Sequence, residues 1–213
     1  MKKLLQLLFI VAAAAAVFGF VRAAQKDHRR TSCTALCAMK PTYAGRNRIA
    51  PDFELPDMNG RPVKLSSFRG KTVFLNFWTK TCAPCLEEMP ALGELARMAR
   101  NRKDFVVVTV STDEGPDAVR DTLKVALGGD PPFPVLFDPE SNIVRDRYGT
   151  TLFPETWIID PNGIIRARFD GARDWAGALA VDLGEMVSRP GSCPMEFFKG
   201  KPGGSFATLC EDS

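Results

Sequence analysis

Histidine is nearly missing from this sequence. The only one among 213 residues is His28, which lies in a basic stretch outside the body of the chain. The body therefore has no imidazole for general-base work or for a histidine metal cluster. Glycine-rich phosphate loops, paired-carboxylate sites, nucleic-acid motifs and internal repeats are missing too. Charge of one sign is scarce: 28 Lys and Arg face 25 Asp and Glu, and a net charge of +3 is too small to argue for nucleic acid as a partner. No second cysteine pair lies beside the central Cys82-x-x-Cys85 pair, as a four-ligand zinc site would need, so no metal site is expected.

What is present is a globular composition, 45% hydrophobic and 25% charged, long enough for one domain with extensions. Residues 1–24 read as a targeting segment. Lys2 and Lys3 precede an apolar stretch from Leu4 to Val21, and Val21-Arg22-Ala23 resembles a small-residue cleavage site. A cleaved signal peptide and a retained membrane anchor both fit that stretch. Residues 25–48 form a basic, Cys-containing linker, in which Lys26, Arg29, Arg30, Lys40, Arg46 and Arg48 face a single acid, Asp27. Basic residues after the apolar segment outnumber those before it, which by the positive-inside tendency would hold the domain in the cytoplasm. The cysteines argue the other way. Cys33, Cys37, Cys193 and Cys210 lie in the two ends of the chain, where thiols persist as disulfides mainly in oxidising compartments. The expected location is the periplasm or the extracytoplasmic face of the inner membrane. The four outer cysteines are candidate structural disulfides, with three connectivities open.

Residues 49–188 carry the regular patterns. "APDFELPDMNGRPVKLSSF" reads as a hairpin about Asn59-Gly60. "KTVFLNFW" and "DFVVVTVST" are apolar runs of the kind buried on both faces of a parallel sheet. Between them, Leu86, Met89, Leu92, Leu95 and Met98 recur at helical spacing. A helix over Asp117–Leu127, a strand in "FPVLFD" and a short helix near Asn142–Tyr148 follow. A hairpin of "ETWIID" and "IIRARFD" turns at Gly163, and a helix closes the domain over Trp175–Val187. Residues 189–213, a Cys-containing tail, show no periodicity. This order predicts an α/β domain whose middle strands are parallel and whose last pair is antiparallel.

The cysteine pair falls where the first buried strand hands over to a helix. Unpaired N–H groups and the positive end of the helix dipole both favour a thiolate there. Two intervening residues let the second sulfur reach the first. Pro84 sits early in the helix, where its missing N–H costs little. A purely structural Cys82–Cys85 bond would close too small a loop to constrain the unfolded chain. The pattern points to a redox centre.

These residues carry a resemblance. "FWTKTCAPCLEEMP" resembles the active-site stretch of thioredoxin-like proteins of the TlpA/ResA/DsbE group, which includes thiol–disulfide oxidoreductases of cytochrome c maturation. The hairpin stretch before it and "FPETWIIDPNGIIRARFDG" after it resemble further segments of that group, in order, over Ile49 to Val187. Thr81 departs from the pattern, standing where the family often has Trp, as does the large Phe153 before the proline. The resemblance implies a thioredoxin-like fold: a central mixed sheet flanked by helices, with an N-terminal hairpin extension. It implies a monomer without cofactor, a protein disulfide as substrate, a membrane thiol donor and membrane contact through residues 1–24 if they are retained. It implies that Pro154 is a cis proline beside the sulfurs and that Glu88 takes a proton from Cys85. A solvated carboxylate is the plain alternative for Glu88. Lys80 would hold the Cys82 thiolate, and Trp78, Pro84 and Phe153 would line the substrate surface, with Trp78 equally suited to the core.

Two other functions fit parts of the sequence. A peroxiredoxin-like thiol peroxidase would use a Pro-x-x-x-Thr-x-x-Cys pattern; Thr79 is in place, but Leu75 holds the proline position. A copper-binding thioredoxin-fold protein would use His28, Cys33, Cys37 and Met39 as soft or borderline ligands.

Overall fold

Apolar runs without alternation, separated by a stretch of helical period, decide the centre of the fold. The structure, a computed structural model, describes residues 2–100, 102, 104–188, 196–203 and 210. In chain order it consists of α1 (Lys2–Met39), β1 (Tyr43–Ile49), β2 (Glu54–Pro56), β3 (Pro62–Lys64), a 3₁₀ turn (Leu65–Phe68), β4 (Thr72–Trp78), α2 (Ala83–Arg100) and β5 (Phe105–Ser111). There follow α3 (Pro116–Leu127), β6 (Val135–Phe137), β7 (Glu155–Ile159), β8 (Ile164–Asp170), α4 (Ala178–Ser188), β9 (Glu196–Phe198) and β10 (Lys201–Gly203). Eight strands make one sheet in the order β10-β9-β1-β8-β7-β4-β5-β6, and β2 and β3 form a separate hairpin. β4, β5 and β6 run parallel, whereas β7 is antiparallel to β4 and β8 to β7. The turn between β7 and β8 places Gly163 at φ +76°, a left-handed position that strains a residue with a Cβ, which would also have to displace the Arg69 guanidinium.

Alternation sorts side chains onto two faces. Val73, Leu75 and Phe77 of β4 face a cluster with Val108, Val110, Tyr148 and Trp157, covered by the β2–β3 hairpin. Phe74 and Trp78 face the other way, into a cluster with Cys85, Met89, Leu92 and Leu95 of α2, Leu123 of α3 and Leu183 of α4. Trp175 meets the rings of Phe74 and Phe169 edge-on at 5.9 and 5.5 Å. Each such contact adds roughly 0.5–1.5 kcal/mol beyond the area buried.

The structure departs from the sequence reading in four places, the smallest being that the closing helix starts at Ala178, three residues after Trp175. Asn142–Tyr148 forms turns closed by mixed i−4 and i−5 hydrogen bonds instead of a short helix, because buried Asp138 accepts the Ile143 and Val144 N–H groups and holds the segment down. Residues 25–48 run as helix to Met39, and Tyr43–Ile49 then forms β1, because Tyr43 and Ala44 find β8 on one side and β9 on the other. The C-terminal tail, read as patternless, supplies β9 and β10 as the sheet edge.

Helix α1 joins two environments. Gln6–Ala24 has a mean hydropathy of 2.3, is unburied throughout and is long enough to cross a membrane. Without a break the same helix continues to Met39, and Cys33, Ala35, Leu36, Cys37 and Met39 are buried against Ala180, Leu183 and Met186 of α4. Cys37 is bonded to Cys210 across a sequence separation of 173, with Cα atoms 4.9 Å apart, so one of the open pairings ties the first helix to the far end of the chain. Cys33 is disulfide-bonded as well. Cys193 lies outside the described residues.

In the chain-entropy picture, closing a loop of that length contributes about 5 kcal/mol. Cys210→Ser is therefore expected to lower the thermal midpoint by several degrees or more while leaving exchange at Cys82–Cys85 at its normal rate. Thermal unfolding and a disulfide-exchange assay on the same preparation check both parts.

Candidate active site

The parallel ladder of β4 and β5 ends at Trp78 opposite Ser111, and the Thr112 N–H donates to the Trp78 carbonyl as its last rung. The chain then turns through Thr79–Thr81. The Cys82 N–H donates to the Thr79 carbonyl at 3.1 Å, and α2 begins at the next residue. Cys82 thus caps the helix. Its Sγ accepts the Cys85 N–H at 3.2 Å, one of the donors that a helix start leaves unpaired. The two sulfurs are bonded at 2.05 Å, with Cα atoms 5.3 Å apart. Cys85 is fully buried while Cys82 is partly exposed, so Cys82 is the sulfur a partner can reach. Pro84 is exposed at the second helical position, where no N–H is needed.

Glu88 is buried, which removes the reading of it as a solvated carboxylate. One oxygen accepts the Asn76 amide at 2.8 Å; the other accepts the Arg173 N–H at 3.1 Å and the Trp175 indole at 3.0 Å. Burial pushes its pKa up to about 7, against the pull of those three donors. Asn76 also donates to Thr156 at 3.0 Å. Asn76, its antiparallel partner Thr156 and its parallel partner Thr109 set buried polar side chains into the sheet face beneath α2. Sequence reading missed this cage. Its one visible signal was Asn76, a polar residue inside an otherwise apolar strand; Arg173 and Trp175 come from a distant loop.

The Phe153–Pro154 bond is cis, and Pro154 is buried. The register pairs Phe77 with Glu155, which sets Pro154 beside the end of β4 from which the Cys82 turn departs. The Pro154 carbonyl is taken by the Gly171 N–H at 2.8 Å. The next residue, Glu155, is buried and accepts the Thr150 hydroxyl, which fixes the loop carrying Leu152 and Phe153. Burial raises the Glu155 pKa. Leu152 is 80% exposed and Phe153 partly exposed.

Two expected residues lie elsewhere. Trp78 is fully buried among the α2 side chains and supports the site from behind, because its position on β4 points it under the helix. Lys80 turns its ammonium to Glu114 at 3.8 Å, in an exposed ion pair of little energetic weight, instead of to the Cys82 sulfur. Its backbone N–H donates to Asp113 at 2.8 Å.

The side functions find less support. The Thr79 hydroxyl donates to Asp113 at 3.0 Å, which commits it away from any peroxide on Cys82, and Leu75 is a core residue. Cys33 and Cys37 are held in disulfides and are not free thiolates for Cu(I), while the side chain of His28 lies outside the described residues. Among the described residues, no group of three or more His, Cys, Asp or Glu could hold a metal.

Comparison with known proteins agrees with this geometry. The AhpC/TSA family profile matches residues 47–168. Thiol-disulfide oxidoreductase ResA of Bacillus thuringiensis subsp. konkukian is 34% identical over 122 residues, 57% of this chain and 68% of that protein. ResA of Bacillus subtilis is 33% identical over 138 residues, 60% of this chain and 74% of that one. A Chlorobium tepidum protein described as thiol:disulfide interchange protein DsbE superposes with a TM-score of 0.58 at 28% identity, covering 68% of this chain and 99% of its own. With a half-exposed disulfide at the start of a helix and these likenesses over more than half its length, the chain belongs to the AhpC/TSA family and is a thioredoxin-like thiol–disulfide oxidoreductase related to ResA.

Proposed function

We propose that the chain reduces protein disulfides on the extracytoplasmic side of a membrane, with Cys82 as nucleophile and Cys85 as resolving thiol. The observation that carries this reading is the asymmetry of the pair: Cys82 is open at a helix start, and Cys85 is closed off beneath it. In the dithiol state, the Cys82 thiolate attacks one sulfur of a substrate disulfide. The other substrate sulfur leaves as a thiolate and takes a proton, and a mixed disulfide remains. Cys85 gives its proton to Glu88 and attacks Cys82 Sγ; the Cys82–Cys85 bond forms and the second substrate sulfur leaves. The substrate has gained two electrons and two protons, and a membrane thiol donor returns the pair to the dithiol by the reverse exchange.

Glu88 suits that transfer because it lies one turn beyond Cys85 on the same helix face and its pKa is near 7. Pro154, Phe153 and Pro84 would form the surface around Cys82 that receives an extended substrate segment. Resemblance to the TlpA/ResA/DsbE group supports the reducing direction and a role of the cytochrome c maturation type. The exposed apolar segment Gln6–Ala24 supports anchorage through α1.

Cys82→Ser is expected to abolish exchange, whereas Cys85→Ser accumulates mixed disulfides visible on non-reducing gels. Full activity in the Cys82 variant would reject the assigned nucleophile.

A separate expectation concerns pH. The resolution rate should rise as pH passes through about 7, where Glu88 becomes a competent base. Glu88→Gln should remove that limb and slow resolution about a hundredfold above it. Stability supplies an independent readout. Folded Glu88 holds a proton to about 7, whereas the unfolded group releases it near 4.5. The wild type therefore loses stability as pH rises through that window, by up to about 3 kcal/mol, and Glu88→Gln does not. Stopped-flow exchange and denaturant titrations across pH measure the two effects.

A further inference from the structure

Asp113 stands where the β4–β5 ladder runs out, and it is 7% exposed. Its Oδ1 accepts the Thr79 hydroxyl at 3.0 Å; its Oδ2 accepts the Lys80 N–H at 2.8 Å and the Ser111 hydroxyl at 2.7 Å. Its own N–H donates to Ser111 Oγ at 3.0 Å. A carboxylate thus continues the ladder beyond its last backbone rung and binds Thr79 and Lys80, the first two residues of the turn that leads to Cys82. The Cys82 N–H in turn donates to Thr79, so the clamp reaches the cysteine through one hydrogen bond.

We infer that Asp113 is a positioning residue for the redox reaction, fixing the Thr79–Cys82 turn and, through its buried charge, opposing the Cys82 thiolate so that the pair stays reducing. This rests on the proposed exchange at Cys82–Cys85. A buried negative charge beside the turn disfavours a second one on Cys82. A less stable thiolate means a less stable dithiol state, hence a pair that gives up electrons more readily. Other charges around the turn leave Asp113 this role. Lys80 is directed to exposed Glu114, Glu87 is solvated, and Glu88 is held beneath α2 by Asn76, Arg173 and Trp175.

The test uses the full-length chain in detergent. Asp113→Asn keeps an acceptor for the Lys80 N–H and removes the charge. Ser111→Ala strips one donor from the carboxylate and the acceptor from the Asp113 N–H but leaves the bonds to Thr79 and Lys80, so the charge is less compensated. Two quantities are read: the Cys82 pKa, from the pH dependence of alkylation of the reduced protein, and the equilibrium of the pair with glutathione. Asp113→Asn should lower the pKa and shift the equilibrium about three- to tenfold toward the dithiol. Ser111→Ala should shift both in the opposite direction, which also serves if Asp113→Asn does not fold. Loss of thermal stability with both quantities unmoved, or shifts of the same sign in the two variants, would overturn the inference. A wild-type pair that fails to exchange with glutathione would instead overturn the reading beneath it.

Discussion

Strand β4 is hydrogen-bonded along both edges and buried on both faces, and this double constraint decides where Cys82 emerges. With β5 on one side and β7 on the other, its seven residues have no freedom to slip, because a shift of one would move Phe74 and Trp78 to the wrong face. The end of β4 is therefore a fixed point. On one side it meets the turn of β5 that carries Asp113; on the other it meets Pro154. The helix that follows inherits the position, and Cys85 and Glu88 follow from it at helical spacing. A reactive sulfur needs placement to fractions of an ångström, and a central buried strand supplies that more firmly than a loop.

Two buried acids flank the cysteine pair and are handled differently. Glu88 has three donors, yet burial outweighs them and the group becomes a weak acid near neutrality. Asp113 is met by two hydroxyls, from Thr79 and Ser111, and by the Lys80 N–H, so it holds the turn while keeping its charge close to Cys82. In the proposed reaction the first would move protons and the second would hold the turn. Both depend on polar residues set into apolar strands, Asn76 and Thr156 for Glu88 and Ser111 for Asp113. Those strands give up some apolar packing to hold the site together.

Much of this could be read from the chain. The unbroken apolar runs announced parallel central strands, and the cysteine spacing at their boundary with a helical pattern announced the site. The turn glycine at Gly163 located the last hairpin. Contacts between segments far apart in sequence were hidden. Nothing near Glu88 in the sequence reveals that Trp175 and Arg173 will cover it. Nor does anything near Tyr43 reveal that β8 and β9 will flank it and convert an apparent linker into strand. Nearness to Cys82 in sequence suggests the thiolate for Lys80 and leaves Trp78 open between substrate surface and core; the strand's alternation puts Trp78 in the core, and Lys80 pairs with Glu114 instead.

An oxidoreductase that carries further disulfides must spare those bonds during exchange, and the two kinds of bond differ at the leaving sulfur. Attack on Cys82 expels Cys85, and attack on the partly exposed Cys210 expels Cys37; both leaving sulfurs are buried. Burial raises the cost of a thiolate, so a buried leaving group slows exchange unless something supplies a proton. Cys37 departs into a cluster of Ala35, Leu36, Met39 and the apolar face of α4. Cys85 departs one turn from an acid that still holds its proton near neutral pH. The same group that receives a proton when Cys85 attacks can return it when Cys85 leaves. If Glu88 serves Cys85 as proposed, selectivity between the working bond and the staple would come from one carboxyl beside one of two equally hidden sulfurs.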